Sequence, residues 1–368
     1  MKAYKFKLRI SANIRRKLEN CLSLCRELYN AALQERRNAW QVNRIAISYF
    51  DQADQLTEIK KSRTEFIDIH SQILQDVLKR LDKTFKAFFS RVKKGEKAGF
   101  PRFKGANHYD SFCFPQSGFK LQGDSLKLSK IGKMRIRLSR EIEGKIKTCT
   151  IKREADGWFV IFTAEVEKQL LQKTGESIGI DVGLENFAIL SNGEKIENPR
   201  FLRKSERCLK IAQRAVSRKK KGSKSYQKAI RLLRKKHLKI KRQRHDFLHK
   251  TATFIVQRFD EIAVEDLQIR NMVKNHRLAK AINDAGWGKF LAILTAKAEN
   301  AGRNVWKVNA QGTSQTCICG EPVRKSLAIR RHKCFNCGYE DHRDIVSAKI
   351  ILKRAVGQTA ETLTYTVG

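Results

Sequence analysis

The first ten residues, MKAYKFKLRI, alternate, with Tyr4, Phe6, Leu8 and Ile10 on one side and Lys5, Lys7 and Arg9 on the other. Successive side chains of a strand point to opposite faces, so this pattern predicts a strand with one apolar and one basic face. From about Ala12 to Val92 the period changes. Leu18, Cys21, Cys25, Leu28 and Ala32 fall at three- and four-residue steps, and Leu74, Val77, Leu78, Leu81 and Phe85 repeat the signal. Both are the apolar stripes of helices, and they make Cys21 and Cys25 core residues. GEKAGFPRFKG, Gly95 to Gly105, ends the helical pattern. Residues 110–168 then read as short strands with Gly118, Gly123, Gly132 and Asp156-Gly157 at turns. A lone strand, a helical segment and a run of strands together describe a β-barrel split by a helical insertion.

A second unit begins near Gly175. SIGIDVGLENFAILSNGEKI predicts two strands with a turn at Asn192-Gly193. Leu202 to Arg244 reads as nearly continuous helix, and Asp260 to Leu267 as a short apolar strand ending in acids. Trp287 to Asn300 is an amphipathic helix, NVWKVNA a strand, and Asp344 to Ala355 a final helix after a cysteine-rich stretch. TAETLTYTVG has neither periodicity nor breadth and reads as a loose tail.

Charge narrows the class of partner. Across 368 residues, enough for about two or three domains, 77 Lys and Arg stand against 37 Asp and Glu, a net charge of +40. Such a surface repels itself unless a polyanion neutralises it, and nucleic acid does so with release of condensed counterions. Leu202 to Arg244 concentrates the effect, with 19 Lys or Arg against the single acid Glu206. No apolar run approaches the ~18 residues of a membrane span, and the first residues lack the apolar core of a signal peptide. Five of the nine cysteines (Cys21, Cys25, Cys113, Cys149, Cys208) are scattered, which points to a reducing cytoplasm rather than to disulfides.

Three acids stand out. Asp181 follows the apolar Ile178 to Ile180, Glu265 follows Ile262 to Val264, and Asp344 opens the last helix. Each alone would serve as a turn residue or helix cap. Together they have the order and element types of an RNase H-like α/β fold, where the first strand, the fourth strand and the last helix converge. Clustered carboxylates repel and need a divalent cation, and an all-oxygen site suits Mg²⁺ or Mn²⁺. Two such ions activate water and stabilise the leaving oxygen of a phosphodiester. No GxSxG, P-loop or strand-borne GxGxxG offers another chemistry. Asp341-x-x-Asp344 also fits a capping box. Because Ile345, Ala348 and Leu352 make the buried stripe, Asp344 is expected to face the sheet and Asp341 solvent.

The remaining four cysteines form two knuckles. Cys334-Phe335-Asn336-Cys337-Gly338 has the usual two-residue spacer, while Cys317-Ile318-Cys319-Gly320 has one. Four thiolates at this spacing predict a structural zinc site, with His332 near enough to replace one of them. A ribbon this small has little apolar core, so the metal would supply its fold.

IGIDVGLENFAIL, IAVEDL, TSQTC–CG…C–CG and HRD–VSA, in this order, resemble TnpB, the RNA-guided DNA nuclease family of bacterial insertion sequences related to type V CRISPR effectors. LCRELYNAALQERR and GFPRFKG extend the resemblance over nearly the whole chain. It departs from the family in the short first knuckle and in Val346-Ser347-Ala348, where the family has an Asn-Ala-Ala run. The resemblance implies a multidomain α+β protein. Its parts would be a split β-barrel (wedge, 1–11 and 101–173) with a helical recognition insert (12–100), and a RuvC-like, RNase H-like α/β nuclease (174–312 and 342–356). The nuclease would carry an inserted zinc ribbon that binds target nucleic acid (313–341), followed by a disordered tail (357–368).

By the same resemblance Asp181, Glu265 and Asp344 are the catalytic, Mg²⁺-binding acids and Cys317, Cys319, Cys334 and Cys337 the zinc ligands. The partners are a guide RNA and target double-stranded DNA. Arg218, Lys219, Lys220, Lys221, Arg231, Arg234, Lys235, Lys236, Arg242 and Arg244 would contact phosphates, while Phe100 and Phe103, flanking Arg102, suit base stacking. Two alternatives share the fold. A nuclease-dead, RNA-guided DNA-binding regulator should have lost an acid, and all three are present. A transposase or integrase would use similar acids for strand transfer but would not need so basic a surface.

Overall fold

The computed structural model describes residues 1–106, 108–326 and 329–365, with side chains described to Gly357. The chain divides into two compact units, Met1–Glu167 and the residues from Lys168 onward.

In the first unit β1 (Lys2–Arg9) buries Tyr4, Phe6 and Leu8 and leaves its basic side exposed, as the alternation predicts. The chain then makes α1 (Ala12–Asn43), α2 (Tyr49–Asp54), α3 (Leu56–Ser62), a 3-10 turn (Thr64–Asp68) and α4 (Ser71–Lys93). The Ser11 hydroxyl caps α1 by accepting from the Ile14 amide at 3.3 Å. Leu18, Cys21 and Cys25 of α1 pack with Leu74, Val77, Leu78 and Leu81 of α4 in one core that continues into the sheet. Buried Arg36 survives in it because Gln52 accepts at 2.8 Å and Asp82 at 3.3 Å.

Six strands follow: β2 (Ser111–Phe114), β3 (Phe119–Gln122), β4 (Ser125–Leu128), β5 (Gly132–Arg137), β6 (Lys145–Glu154) and β7 (Gly157–Glu165). With β1 they form an antiparallel sheet in the order β2-β6-β7-β1-β5-β4-β3. Consecutive strands β2 and β3 are therefore its two edges. Seven flat strands would separate those edges by about 29 Å. The link from Phe114 to Phe119 reaches about 18 Å at most. The sheet has to curl on itself.

The second unit is built on a five-stranded mixed sheet, β10-β9-β8-β11-β12. β8 (Ser177–Val182), β9 (Asn186–Leu190) and β10 (Lys195–Glu197) run antiparallel, so the stretch read as two strands holds three. β11 (Glu261–Glu265) is parallel to both β8 and β12 (Asn304–Val308). Between β10 and β11 the expected, nearly continuous helical stretch is made of two helices, α5 (Phe201–Ser217) and α6 (Lys224–Arg258). They part at Gly222, whose φ of +85° favours glycine, and Ser223 caps the second by accepting from the Tyr226 amide. α7 (Ile269–Met272), α8 (His276–Ala285) and α9 (Trp287–Ala301) precede β12.

Sheet alternation sorts the two faces. Ile178, Ile180, Ile262 and Val264 pack with Leu248, Ala252 and Ile255 of α6 and Phe290, Leu294 and Ala298 of α9. Ala263 and Val308 point the other way, to Ile351 and Ala355 of α10 (Arg343–Tyr365). A small hairpin, β13 (Arg331–Lys333) and β14 (Glu340–His342), leads into that helix. α10 runs past the expected end near Ala355, because an established helix gains a hydrogen bond with each added residue. Residues 366–368 of the expected tail lie outside the described residues.

Candidate active site and cysteine centre

The sheet brings the first two acids together. Val264 lies opposite Ile180 on the parallel neighbour, a register that carries Glu265 alongside Asp181. Both side chains leave the sheet on the same face as Gly179 and Ala263, two residues before each, and α10 covers that face. A Cβ at Gly179 would stand 2.0 Å from the Ala348 carbonyl oxygen. Glycine there lets α10 lie directly on β8, which sets the first turn of the helix, with Asp344, over the strand ends.

Their electrostatics register the convergence. Burial pushes the Asp181 carboxyl well above the usual carboxylate range, and the charges of Glu265 and Asp344 push it further, against Arg343. Burial also raises Glu265, opposed by the Thr313 hydroxyl, which donates to it at 2.5 Å, and by the charge of Arg354. Asp344 accepts from Arg343 at 3.1 Å and Arg330 at 3.4 Å, and Arg330 also pairs with Glu185 at 3.1 Å. The acids share one site, yet their oxygens do not all come within 4.8 Å of one another, as the four cysteine sulfurs do. Buried, incompletely neutralised carboxylates with hard oxygen donors fit a divalent cation such as Mg²⁺.

Asp341 does not face solvent as expected. It is half-buried, accepting from Tyr339 at 2.7 Å, Lys349 at 3.0 Å and the His342 amide at 2.7 Å. The helix cap is His342, whose Nδ1 accepts from the Asp344 amide at 3.3 Å. The buried stripe of α10 is also shifted: Val346, Ala348, Ile350 and Ile351 are buried, while Ile345 and Leu352 are half-buried.

The cysteines form the one group of three or more His, Cys, Asp or Glu among the described residues whose ligand atoms all lie within 4.8 Å. Cys317 and Cys337 sulfurs are 3.6 Å apart, and Cys319 and Cys334 sulfurs 3.7 Å. A tetrahedron with zinc–sulfur bonds of 2.3 Å has edges of about 3.8 Å, so the cluster fits that ion. The short knuckle turns like the normal one. Gly320 donates to the Cys317 carbonyl at 2.9 Å and Gly338 to the Cys334 carbonyl at 3.0 Å, with φ of +98° and +72°. Backbone amides of Cys337 and Asn336 hold the Cys334 thiol down to about 7, whereas burial pushes Cys317 up to about 12. His332 is not a member. It is buried, with Nδ1 against the Lys325 ammonium.

Arg218, Lys219, Lys220 and Lys221 are exposed in the turn between α5 and α6, and Arg231, Arg234, Lys235 and Arg242 are exposed along α6. Lys236 is half-buried. Arg244 departs from the group, because it donates to Asp284 at 2.8 Å and joins α6 to α8. Phe100, Arg102 and Phe103 are all exposed, and Phe100 also packs edge-on to Phe85 and Phe88 at ring distances of 5.7 and 5.4 Å. Sequence reading missed Thr313, Arg330 and Arg343 as partners of the acids. Thr313 opens the TSQTC motif and Arg343 adjoins Asp344, but nothing in their spacing announces the contacts.

A curled antiparallel sheet with a helical insert, and a mixed sheet with an acidic edge beside four clustered cysteines, define a multidomain protein with two candidate metal centres. Family models match residues 161–276 ("Probable transposase", OrfB of IS605), 287–351 ("Cas12f1-like, TNB domain") and 1–44 ("Helix-turn-helix domain"). Over the last range the chain forms one strand and one unbroken helix. A Streptomyces pristinaespiralis protein with the provisional name RNA-guided DNA endonuclease is 33% identical over 98% of this chain and 90% of its own. InsQ of Escherichia coli K12, provisionally named likewise, is 31% identical over 96% and 92%. A solved mini RNA-guided endonuclease, Cas-phi3, is 10% identical with a TM-score of 0.49, covering 96% of this chain and 92% of that one. The chain belongs to the TnpB (OrfB) family.

Proposed function

We propose that the chain is an RNA-guided DNA endonuclease of a bacterial insertion sequence, working in the cytoplasm. It would hydrolyse phosphodiester bonds in target DNA with Mg²⁺ or Mn²⁺. The observation that carries this reading is the meeting of Asp181, Glu265 and Asp344 from two strand ends and a helix start. The strand order β10-β9-β8-β11-β12, antiparallel then parallel, supports an RNase H-like (RuvC-like) domain over 174–312 and 342–356. The curled sheet supports a wedge barrel over 1–11 and 101–173 around a recognition insert, 12–100, and residues 313–341 would be a zinc ribbon held by the four cysteines.

Bound at the acids, divalent cations supply charge neutralisation and activation of the attacking water. The rest belongs to the chain. Asp181, Glu265 and Asp344 would hold the ions, Thr313 fixes one Glu265 oxygen, and Arg343 offsets charge beside Asp344. Arg218 to Lys221 and the exposed bases of α6 contact RNA or heteroduplex phosphates, and Phe103 with Arg102 contacts unpaired bases.

The test is purification followed by a guided assay. The protein should carry a structured RNA, and the complex should cut DNA matching that RNA only with Mg²⁺ or Mn²⁺. Apo protein cutting as well as the complex, or products that are joined DNA ends, would overturn the reading.

A further inference from the structure

We infer that a cleft beside the acidic centre is a phosphate subsite for the DNA strand being cut, gripping its backbone through Arg203 and Arg277; this rests on the nuclease reading. The cleft, about 470 Å³, is walled by Leu184 and Glu185 at the β8–β9 turn, the start of α5, and α8. That size lies within the roughly 300–1,000 Å³ of ligand sites. By count its charges nearly balance, but by bonding they do not. Glu206 accepts from Lys280 at 2.6 Å and Lys210 at 3.1 Å. Asp284 accepts from the Leu202 amide at 3.0 Å and Arg244 at 2.8 Å, and Glu185 from Arg330 at 3.1 Å.

Every acid in the cleft is engaged. The guanidiniums of Arg203 and Arg277 have no hydrogen-bond, ion-pair or ring partner among the described residues. Nor does an acid sit in the first turn of α5 or α8 to offset them. Two uncommitted guanidiniums on one cavity match the oxygens of a phosphodiester. The lining contains no aromatic ring, so it offers no stacking platform for a base. The ligand is backbone.

Position selects the strand. Leu184 and Glu185 follow Asp181 after Val182 and Gly183, and Arg330 ties Glu185 to Asp344. The cleft thus shares a wall with the acids, and a phosphate held there belongs to the strand passing over them.

The measurement is binding of a single-stranded target oligonucleotide to the intact guided complex in EDTA. Cleavage by the wild type in Mg²⁺ reports the nuclease reading separately. Arg203→Ala/Arg277→Ala should weaken strand binding about tenfold. Loss of two phosphate contacts should also make the slope of log affinity against log salt shallower by about 1.4. Arg203→Lys/Arg277→Lys should recover most of that slope, and the unfolding midpoint should stay where it was. In a methylphosphonate scan, neutral linkages beside the cut should weaken wild-type binding but not the double-alanine variant's. Unchanged affinity and slope, a methylphosphonate penalty that persists in the variant, or loss of guide RNA rather than DNA would overturn the proposal.

Discussion

The cysteine centre and the acidic centre are both candidate places for a metal, and the fold builds them in opposite ways. Four thiols gather from the short span Cys317 to Cys337, and two glycine-ended turns bring their sulfurs to 3.6 and 3.7 Å within each close pair. The acids are spread from Asp181 to Asp344. Their meeting needs a strand register, a glycine under α10 and a helix started at the right residue. The thiols already approximate a tetrahedron, whereas the carboxylates remain repelled, buried and partly neutralised by Arg343 and Arg330. A closed site suits a metal that supports folding; an open site whose ligands strain against one another suits a metal that does chemistry.

The sharpest way to break this contrast is to remove one acid at a time. Asp344→Ala, Asp181→Ala and Glu265→Ala should each lower guided DNA cleavage by roughly 10³-fold or more, with guide binding retained. Asp341→Ala, which loses only local partners, should stay within about twofold of wild type. A side-by-side cleavage assay giving the reverse pattern for the two aspartates would move the third ligand to Asp341.

Next is Cys334→Ser. Elemental analysis should find about one zinc per wild-type chain, resistant to mild chelation, and almost none in the variant. Active wild-type protein without zinc would dissolve the comparison.

Gly179→Ala tests whether the open site depends on helix placement. The new Cβ meets the Ala348 carbonyl and, at 3.0 Å, Leu352 Cβ. Overpacking of this kind costs about 1–3 kcal/mol. Cleavage should fall while zinc content stays at wild type, since the knuckles are held by their own turns at Gly320 and Gly338.

The smallest effect concerns stability. Asp181 titrates above its unfolded value, so its penalty is absent below about pH 4 and grows as pH rises toward the folded value. Asp181→Asn should therefore raise the unfolding midpoint by a few degrees at pH 8 and hardly at all at pH 4. It should also blunt stabilisation by Mg²⁺. A lower midpoint at pH 8 would show that the carboxylate is already well paired.

Signals carried by neighbouring residues were legible in the sequence. The alternation of Tyr4, Phe6 and Leu8, the apolar run before Asp181 and the knuckle at Cys334 each declare themselves within a few positions. What failed was set by distant partners. Arg244 counted as one more base until Asp284 claimed it, and Asp341 looked solvated until Tyr339 and Lys349 closed on it. Gly179 sits in IGID without any local need for glycine; only α10 explains it. Leu202 to Arg244 is nearly all helix, as its sequence suggests, but composition does not locate the break that Gly222 and Ser223 make.

The position of α10 also has a meaning in time. A ribosome that has just added His342 has delivered Asp181, Glu265 and all four cysteines, but not the third acid or the helix that covers Gly179 and Ala263. That sheet face stays bare until Ile351 and Ala355 emerge. A nascent or prematurely stopped chain therefore has no complete acidic centre and presents an uncovered strand surface to proteases. Chains stopped before residue 343 should be inert and rapidly degraded, which limits the cutting activity of incomplete products to none.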